Sequence, residues 1–317
     1  MKNFDGVILG MKKLYFLGNG FDKHHGMKCG YENFKEWLEL NDNRVYENLK
    51  RLYGDLQDDW WRNFEGSLSN FDLSIFPSKV ACAHFFELRR KLKERYGEEG
   101  LSIIDVYDVN DPRLPAAIAK FELLQLKNDL NRNFGEWVKD ITMPDESKKD
   151  CNLDTNAIFF TLNYTKTLED LYKIKKEQVV HLHGSMDNKN FIFGHNKTVE
   201  EMREHDMEIH MYDNPDDDNG EYDARMAMYE AAEDLIKPVD RVIYEYCGEF
   251  ESLWNIEELE VLGFSYSPID LPYLERIIDV TGKDIRVRLS WHEEKDEKEA
   301  ILFAKKMNLS DFEIIEY

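Results

Sequence analysis

Long apolar runs are missing from this chain: no stretch approaches the roughly 18 residues that a membrane-spanning helix requires. Cysteine is scarce and scattered. The four residues Cys29, Cys82, Cys151 and Cys247 form no Cys-x-x-Cys pair, which argues against a structural zinc ribbon and offers no disulfide framework. Basic charge is also short, with 41 Lys and Arg against 64 Asp and Glu and a formal net charge of −23. That field repels polyanions and disfavours general DNA or RNA binding, while leaving room for a local pocket that takes one small nucleotide. The first ten residues carry an acid and glycines where a secretory segment would be continuously apolar, so a cytoplasmic protein without membrane partners is expected. Met11-Lys-Lys13 reads like a natural start, which makes residues 1–10 a dispensable leader.

Apolar and aromatic residues, in contrast, are plentiful enough for a folded globule, at 42% and 13% of the 317 residues. Short apolar strands are predicted at Leu14–Leu17, Asn156–Thr161, Gln178–Leu182, Phe191–Phe193, Glu258–Phe264, Asp284–Leu289 and Phe312–Glu316. Between the first two lies a long helical stretch, in which Leu123, Leu126, Leu130, Phe134, Trp137 and Ile141 form a stripe and Trp60-Trp61 read as core. The alternation of strand, turn and helix predicts an α/β fold, a Rossmann-like parallel sheet with a large, mostly helical insertion. Its nucleotide-binding core is drawn from 11–30, 151–198 and 234–317, with the insertion at 31–150. Residues 199–233 form an acidic loop or lid. The 213–220 stretch within it lacks the spacing and closing Glu of a calcium loop.

Polar residues gather where strands are expected to end. Gly18-Asn19-Gly20-Phe-Asp22 follows the first strand, a turn whose bare backbone can approach a phosphate or, equally, a tight turn with Asp22 capping the next helix. Asn163 follows Phe159-Phe-Thr-Leu162, where its amide can meet a ribose hydroxyl, hold a water, or simply form the turn. His183, before Gly184, is placed to take a proton or to be a buried structural histidine, and strand alternation puts His181 on the same face. Gly263 and Ser265 begin another hydroxyl-rich turn, in which Ser265 can donate to a phosphate and Asp270 can cap a helix. Trp291 is open to two roles, covering an adenine or closing the core. His195 is a second-tier candidate. A metal on His181, His183 and His195 would need carboxylate support, and no metal is predicted.

These residues carry a resemblance. Gly18-Asn-Gly-Phe-Asp22 with His25-Gly26 and Tyr31-x-x-Phe34, then Asn163-Tyr-Thr165, His183-Gly184, Phe193-Gly-His195 and Gly263-x-Ser265 with Asp270, resemble the bacteriophage abortive-infection family AbiH, in the same order along nearly the whole chain. Cys29, where the family more often has Thr, and the acidic 199–233 stretch depart from it. That family in turn resembles sirtuin-like NAD-binding domains. The resemblance implies a phage-defence protein whose ligand is NAD or a related nucleotide, with Gly18 and Gly20 at the phosphates, Asn163 at the nicotinamide ribose and His183 as base. It further implies an NAD glycohydrolase-like hydrolase that yields nicotinamide and an ADP-ribose product, or a sensor that binds without turnover. The same comparison disfavours protein deacylation, because no Cys pair can build the deacylase zinc ribbon. A phage trigger is implied but not identified, and the sequence admits a homo-oligomer without fixing its subunit count.

Overall fold

Leu14, Phe16 and Leu17 are fully buried because the strand they form is covered on both faces and has a neighbour on each side. The computed structural model describes residues 11–71, 85–106, 111, 113–187, 191–209 and 221–317; residues 1–10, expected as a leader, and the 213–220 stretch lie outside the described residues. The strands are β1 (Lys13–Leu17), β2 (Ile158–Thr161), β3 (Val179–His181), β4 (Glu258–Leu262), β5 (Arg286–Trp291) and β6 (Asp311–Glu316). All pair in parallel in the order β3-β2-β1-β4-β5-β6. This is the doubly wound order, in which the direction of winding reverses between β1 and β4.

The chain divides into two compact units. The first comprises Met1–Glu36, Phe134–Phe193 and Lys237–Tyr317 and contains the sheet. On one face, Leu14, Phe16, Ile158, Phe160, Leu259, Val261, Val287 and Leu289 pack with Tyr273, Leu274, Ile277 and Ile278 of the helix Leu271–Thr281 and with Phe303 of the helix Glu294–Met307. On the other, Tyr15, Leu17, Phe159 and Val179 pack with Phe21, Leu168, Leu171 and Tyr172. Each such side chain contributes about 1.5–3 kcal/mol by leaving water.

The second face changes character across the switch point. Tyr15, Glu260, Arg288 and Glu313 stand in register on β1, β4, β5 and β6. Lys13 Nζ lies 2.6 Å from Glu260 Oε2, Arg288 Nη1 lies 3.3 Å from Glu260 Oε1, and Arg288 Nε lies 3.2 Å from Glu313 Oε2. Partial burial alone would lower the Lys13 pKa, but the contacts to Glu260, Tyr15 and Glu258 outweigh it and raise the pKa.

Among the described residues of the second unit, Trp37–Asn133 and Gly194–Ile236, the structure is helical apart from a single bridge between His195 and Ile236. Its helices are tied by buried carboxylates. Glu122 accepts ion pairs from Arg51 at 2.9 Å and Arg95 at 2.6 Å, and Asp129 from Arg44 at 2.9 Å and Arg132 at 2.8 Å. Trp61 is 1% exposed and stacks on Phe64, in keeping with a core role, while Trp60 beside it is half-buried. Leu123, Leu126, Leu130, Phe134 and Trp137 of the helix Leu114–Asp140 are buried as the stripe predicts, as is Ile141 just beyond it. The helices Val199–Ile209 and Glu221–Ala232 flank the acidic 210–220 stretch.

Phe191–Phe193 is not a strand. It follows the β3 turn as an open segment in which the Ile192 N–H donates to the His183 carbonyl at 3.0 Å, and Gly194, with φ 150°, then breaks the extended run.

Gly263 closes β4 with φ 61°, and a Cβ there would lie 2.1 Å from the Phe21 nitrogen. Gly282 has φ 89° with open space around it. Gly282→Ala is therefore expected to cost only left-handed backbone strain, about 1–2 kcal/mol. Gly263→Ala adds a clash with backbone and should cost several kcal/mol, about 3 or more. Urea midpoints of the two variants check this, and equal losses would show that the close approach does not matter.

Candidate functional site

The parallel sheet delivers the ends of β3, β2, β1 and β4, in that spatial order, to one edge, and the polar turns follow directly. The Gly18 N–H donates to the Leu262 carbonyl at 3.0 Å and the Gly20 N–H to the Gly263 carbonyl at 2.8 Å. A Cβ on Gly18 would sit 2.5 Å from the Gly263 oxygen, and one on Gly20 would sit 2.7 Å from the Gly263 Cα. Gly18, Gly20 and Gly263 thus interlock two turns, and the amides of Gly18 and Gly20 are engaged by β4.

The short helix Asn19–His24 begins in this interlock and carries Asp22 inward. Asp22 is 1% exposed and does not cap its helix. Its Oδ2 accepts from the Thr165 hydroxyl, which lies 3.2 Å from that of Thr167, while its Oδ1 is buried with no partner. Burial raises the Asp22 carboxyl above the ordinary carboxylate range, and the two hydroxyls, His25 and His181 offset only part of that.

Asn163 is 5% exposed. Its N–H donates to Thr161 Oγ1 at 3.0 Å, and its carbonyl accepts from His181 Nδ1 at 2.9 Å. The His181 Nε2 faces Glu169 Oε1 at 3.0 Å, so the ring is clamped between two acceptors. The Asn163 carboxamide oxygen is buried without a donor. Asp22, Thr161, Asn163, Thr165 and Thr167 line one narrow crevice together with Phe21 and Leu168.

His183 is placed differently. β3 ends at His181, and the turn through Gly184, with φ 84°, takes His183 out of strand alternation, so the two histidines do not share surroundings. The His183 ring packs edge-on to Tyr273 at 5.4 Å, with Nε2 3.5 Å from Asp270 Oδ1. Asp270 occupies the N-cap position of the helix Leu271–Thr281, but its carboxylate makes no capping hydrogen bond and pairs instead with Lys237 Nζ at 2.8 Å. Burial, reinforced by the Lys237 ammonium, holds His183 well below its ordinary value. Asp270, already neutralised by Lys237, does not reverse this.

Of the remaining candidates, Asn19 is exposed and donates to the Cys29 carbonyl at 3.1 Å, and Ser265 is exposed. Trp291 is half-buried at the end of β5. His195 lies in the helical unit, where its Nε2 donates to the Ala232 carbonyl at 3.1 Å. The sequence reading missed the ligating company of these residues. Thr165 and Thr167, alternating hydroxyls just after Asn163, were a readable signal; Lys237, between Ile236 and Pro238, offered none.

A family model described as Bacteriophage abortive infection AbiH matches residues 14–291. The chain belongs to the AbiH family. The family description gives its role as bacteriophage abortive infection, and every residue of the edge described above falls within the matched span. No curated protein and no solved structure matches the chain. Among the described residues of this AbiH chain, no helix is long and apolar enough to cross a membrane.

The lowered His183 pKa has a definite sign. Below the ordinary value of 6.5 the unfolded chain takes up a proton that the folded chain refuses, so stability is full above that pH and is lost as pH falls. His195, pushed down to about 4 by burial, acts in the same direction. Asp22, raised from 3.8, acts oppositely, since its cost is relieved as pH falls through its folded value. Urea unfolding between about pH 7 and about pH 5 should show His183→Gln with a slope shallower by up to about 1.4 kcal/mol per pH unit. An unchanged slope would assign the pH dependence to other groups.

Proposed function

We propose that the protein acts in abortive infection by binding NAD, or a closely related nucleotide, at the carboxyl edge of the sheet and hydrolysing its nicotinamide–ribose bond. The observation that supports this reading is the crevice beside the switch point, where Asp22 Oδ1 and Asn163 Oδ1 are both buried and both lack a donor. Open α/β sheets take their ligands at this edge, and two orphaned acceptors there call for a ligand that brings hydroxyl donors or positive charge. The nicotinamide riboside end of NAD brings both.

In this reading the glycosidic bond breaks with its electron pair going to the pyridinium nitrogen, so nicotinamide leaves neutral and the sugar carbon becomes cationic. A buried carboxylate beside that carbon stabilises the charge more than water would. Asn163 holds the incoming water, whose oxygen bonds to the sugar carbon while a proton passes to a base. Asp22 is the base nearest the crevice. His183, the base that the family resemblance implies, is neutral and available in charge but is not among the crevice-lining residues. Because the crevice is narrow, admitting a ribose requires the Thr165–Thr167 turn to part from Asp22. The narrowness of the crevice, with Asp22 already held by Thr165, favours a second reading, a nucleotide sensor that binds at the edge without turnover.

Incubating the purified protein with NAD, with and without lysate from infected cells, should release nicotinamide. Asp22→Asn and Asn163→Ala should each slow release by roughly 10²–10⁴-fold. The same loss in His183→Ala with none in Asp22→Asn would move the base to His183. Calorimetric binding without product supports the sensor. Neither binding nor release under either condition overturns the nucleotide reading.

A further inference from the structure

A second polar cluster stands outside the crevice, at the far end of the helix that carries Asp22. His24 Nε2 lies 3.1 Å from Asp150 Oδ2, and Cys151 Sγ lies 3.6 Å from Asp150 Oδ1. The three ligand atoms that His24, Asp150 and Cys151 offer all fall within 4.8 Å of one another. Zinc bonds of about 2.0–2.3 Å to nitrogen, oxygen and sulfur in a tetrahedron put neighbouring donor atoms about 3.3–3.8 Å apart. The two short separations run to different oxygens of the Asp150 carboxylate, so side-chain adjustment within the 4.8 Å cluster would bring one oxygen, the imidazole and the sulfur to that spacing.

We propose that His24, Asp150 and Cys151 form a site for a borderline divalent cation, zinc or a metal of like preference, with the fourth position open to water. The donor set selects the metal. One imidazole, one carboxylate and one thiol suit zinc, whereas calcium and magnesium take oxygen almost exclusively.

The surroundings are those of a held site and not of a chance surface pair. The His24 ring stacks on Tyr317 at 4.6 Å, and the Cys151 sulfur lies 3.4 Å from the Tyr317 hydroxyl. The Cys151 backbone N–H donates to the Tyr172 hydroxyl at 3.1 Å, and the same hydroxyl is 2.6 Å from His25 Nε2. His25 Nε2 also lies 3.8 Å from Asp150 Oδ1, as an outer partner of the carboxylate. Groups of this kind orient metal ligands and are worth about 10–100-fold in affinity. His24 and Asp150 remain partly open, at 34% and 56% side-chain exposure, which gives a cation its way in. The net charge of −23 draws cations toward the protein.

Such a metal would fasten the helix Asn19–His24 to the segment that leads into β2. Asp22 lies on the same helix, so occupancy would also fix one wall of the crevice; the cation site itself does not depend on what the crevice binds.

The test uses the full chain, stripped with a chelator and titrated with cobalt(II). One equivalent should bind, giving a thiolate-to-cobalt charge-transfer band in the near ultraviolet and the visible bands of a four-coordinate ion. Cys151→Ser should lose the charge-transfer band, and His24→Ala should weaken binding by more than about tenfold. Cys247→Ser, which alters an exposed cysteine elsewhere, should keep both. Asp150→Asn provides a second variant at an exposed position, and circular dichroism without metal establishes that each variant is folded. Absence of stoichiometric uptake, or a charge-transfer band that survives in Cys151→Ser, overturns the proposal.

Discussion

Two backbones that pass closer than a methyl group allows hold the carboxyl edge of this sheet together. Gly18 and Gly20 after β1 meet Gly263 after β4, and their amides are donated across the gap. From that lock the order propagates outward, turn by turn. Asp22, just inside the lock, accepts from Thr165 after β2, and the Asn163 carbonyl of the same turn accepts from His181 at the end of β3. The loops after four neighbouring strands are thereby tied in a row. A crevice lined by orphaned oxygens can persist in such a row because its walls are fixed elsewhere.

The sheet itself was largely legible. Leu14–Leu17 and Phe159–Thr161 are too continuously apolar to lie on a half-wet surface, and both became inner strands. Phe191–Phe193 has the same texture but does not pair as a strand; the Ile192 N–H donates to the His183 carbonyl, the Tyr164 hydroxyl donates to the Ile192 carbonyl, and Gly194 then turns the chain. The site was half legible. Asn163 and Asp22 could be found because they follow apolar runs directly. The parting of His181 and His183 could not, because alternation holds only while a strand lasts, and β3 stops at His181. Lys237 gave no sign at all, since its pairing with Asp270 joins positions distant in sequence. For the same reason His24 and the Asp150-Cys151 pair carry no recognisable ligand spacing.

The two halves of the sheet are stabilised differently. Around β1, β2 and β3 both faces are apolar, and order there rests on exclusion of water. Across β4, β5 and β6 one face is a row of alternating charges running through Glu260, Arg288 and Glu313. In a chain so rich in carboxylates, the few cations placed on this face relieve repulsion as well as forming pairs. The AbiH match runs from β1 through β5 and stops before β6, and the crevice belongs to the drier half, where low polarity strengthens every electrostatic contact.

The donorless oxygens of Asp22 and Asn163 are a thermodynamic burden on the resting chain. A laboratory lineage chosen purely for survival at high temperature would tend to swap them for Ala, Leu or Met, and would become sturdier as it lost its capacity to recognise anything there. Heat tolerance and biological competence would then pull this edge in opposite directions.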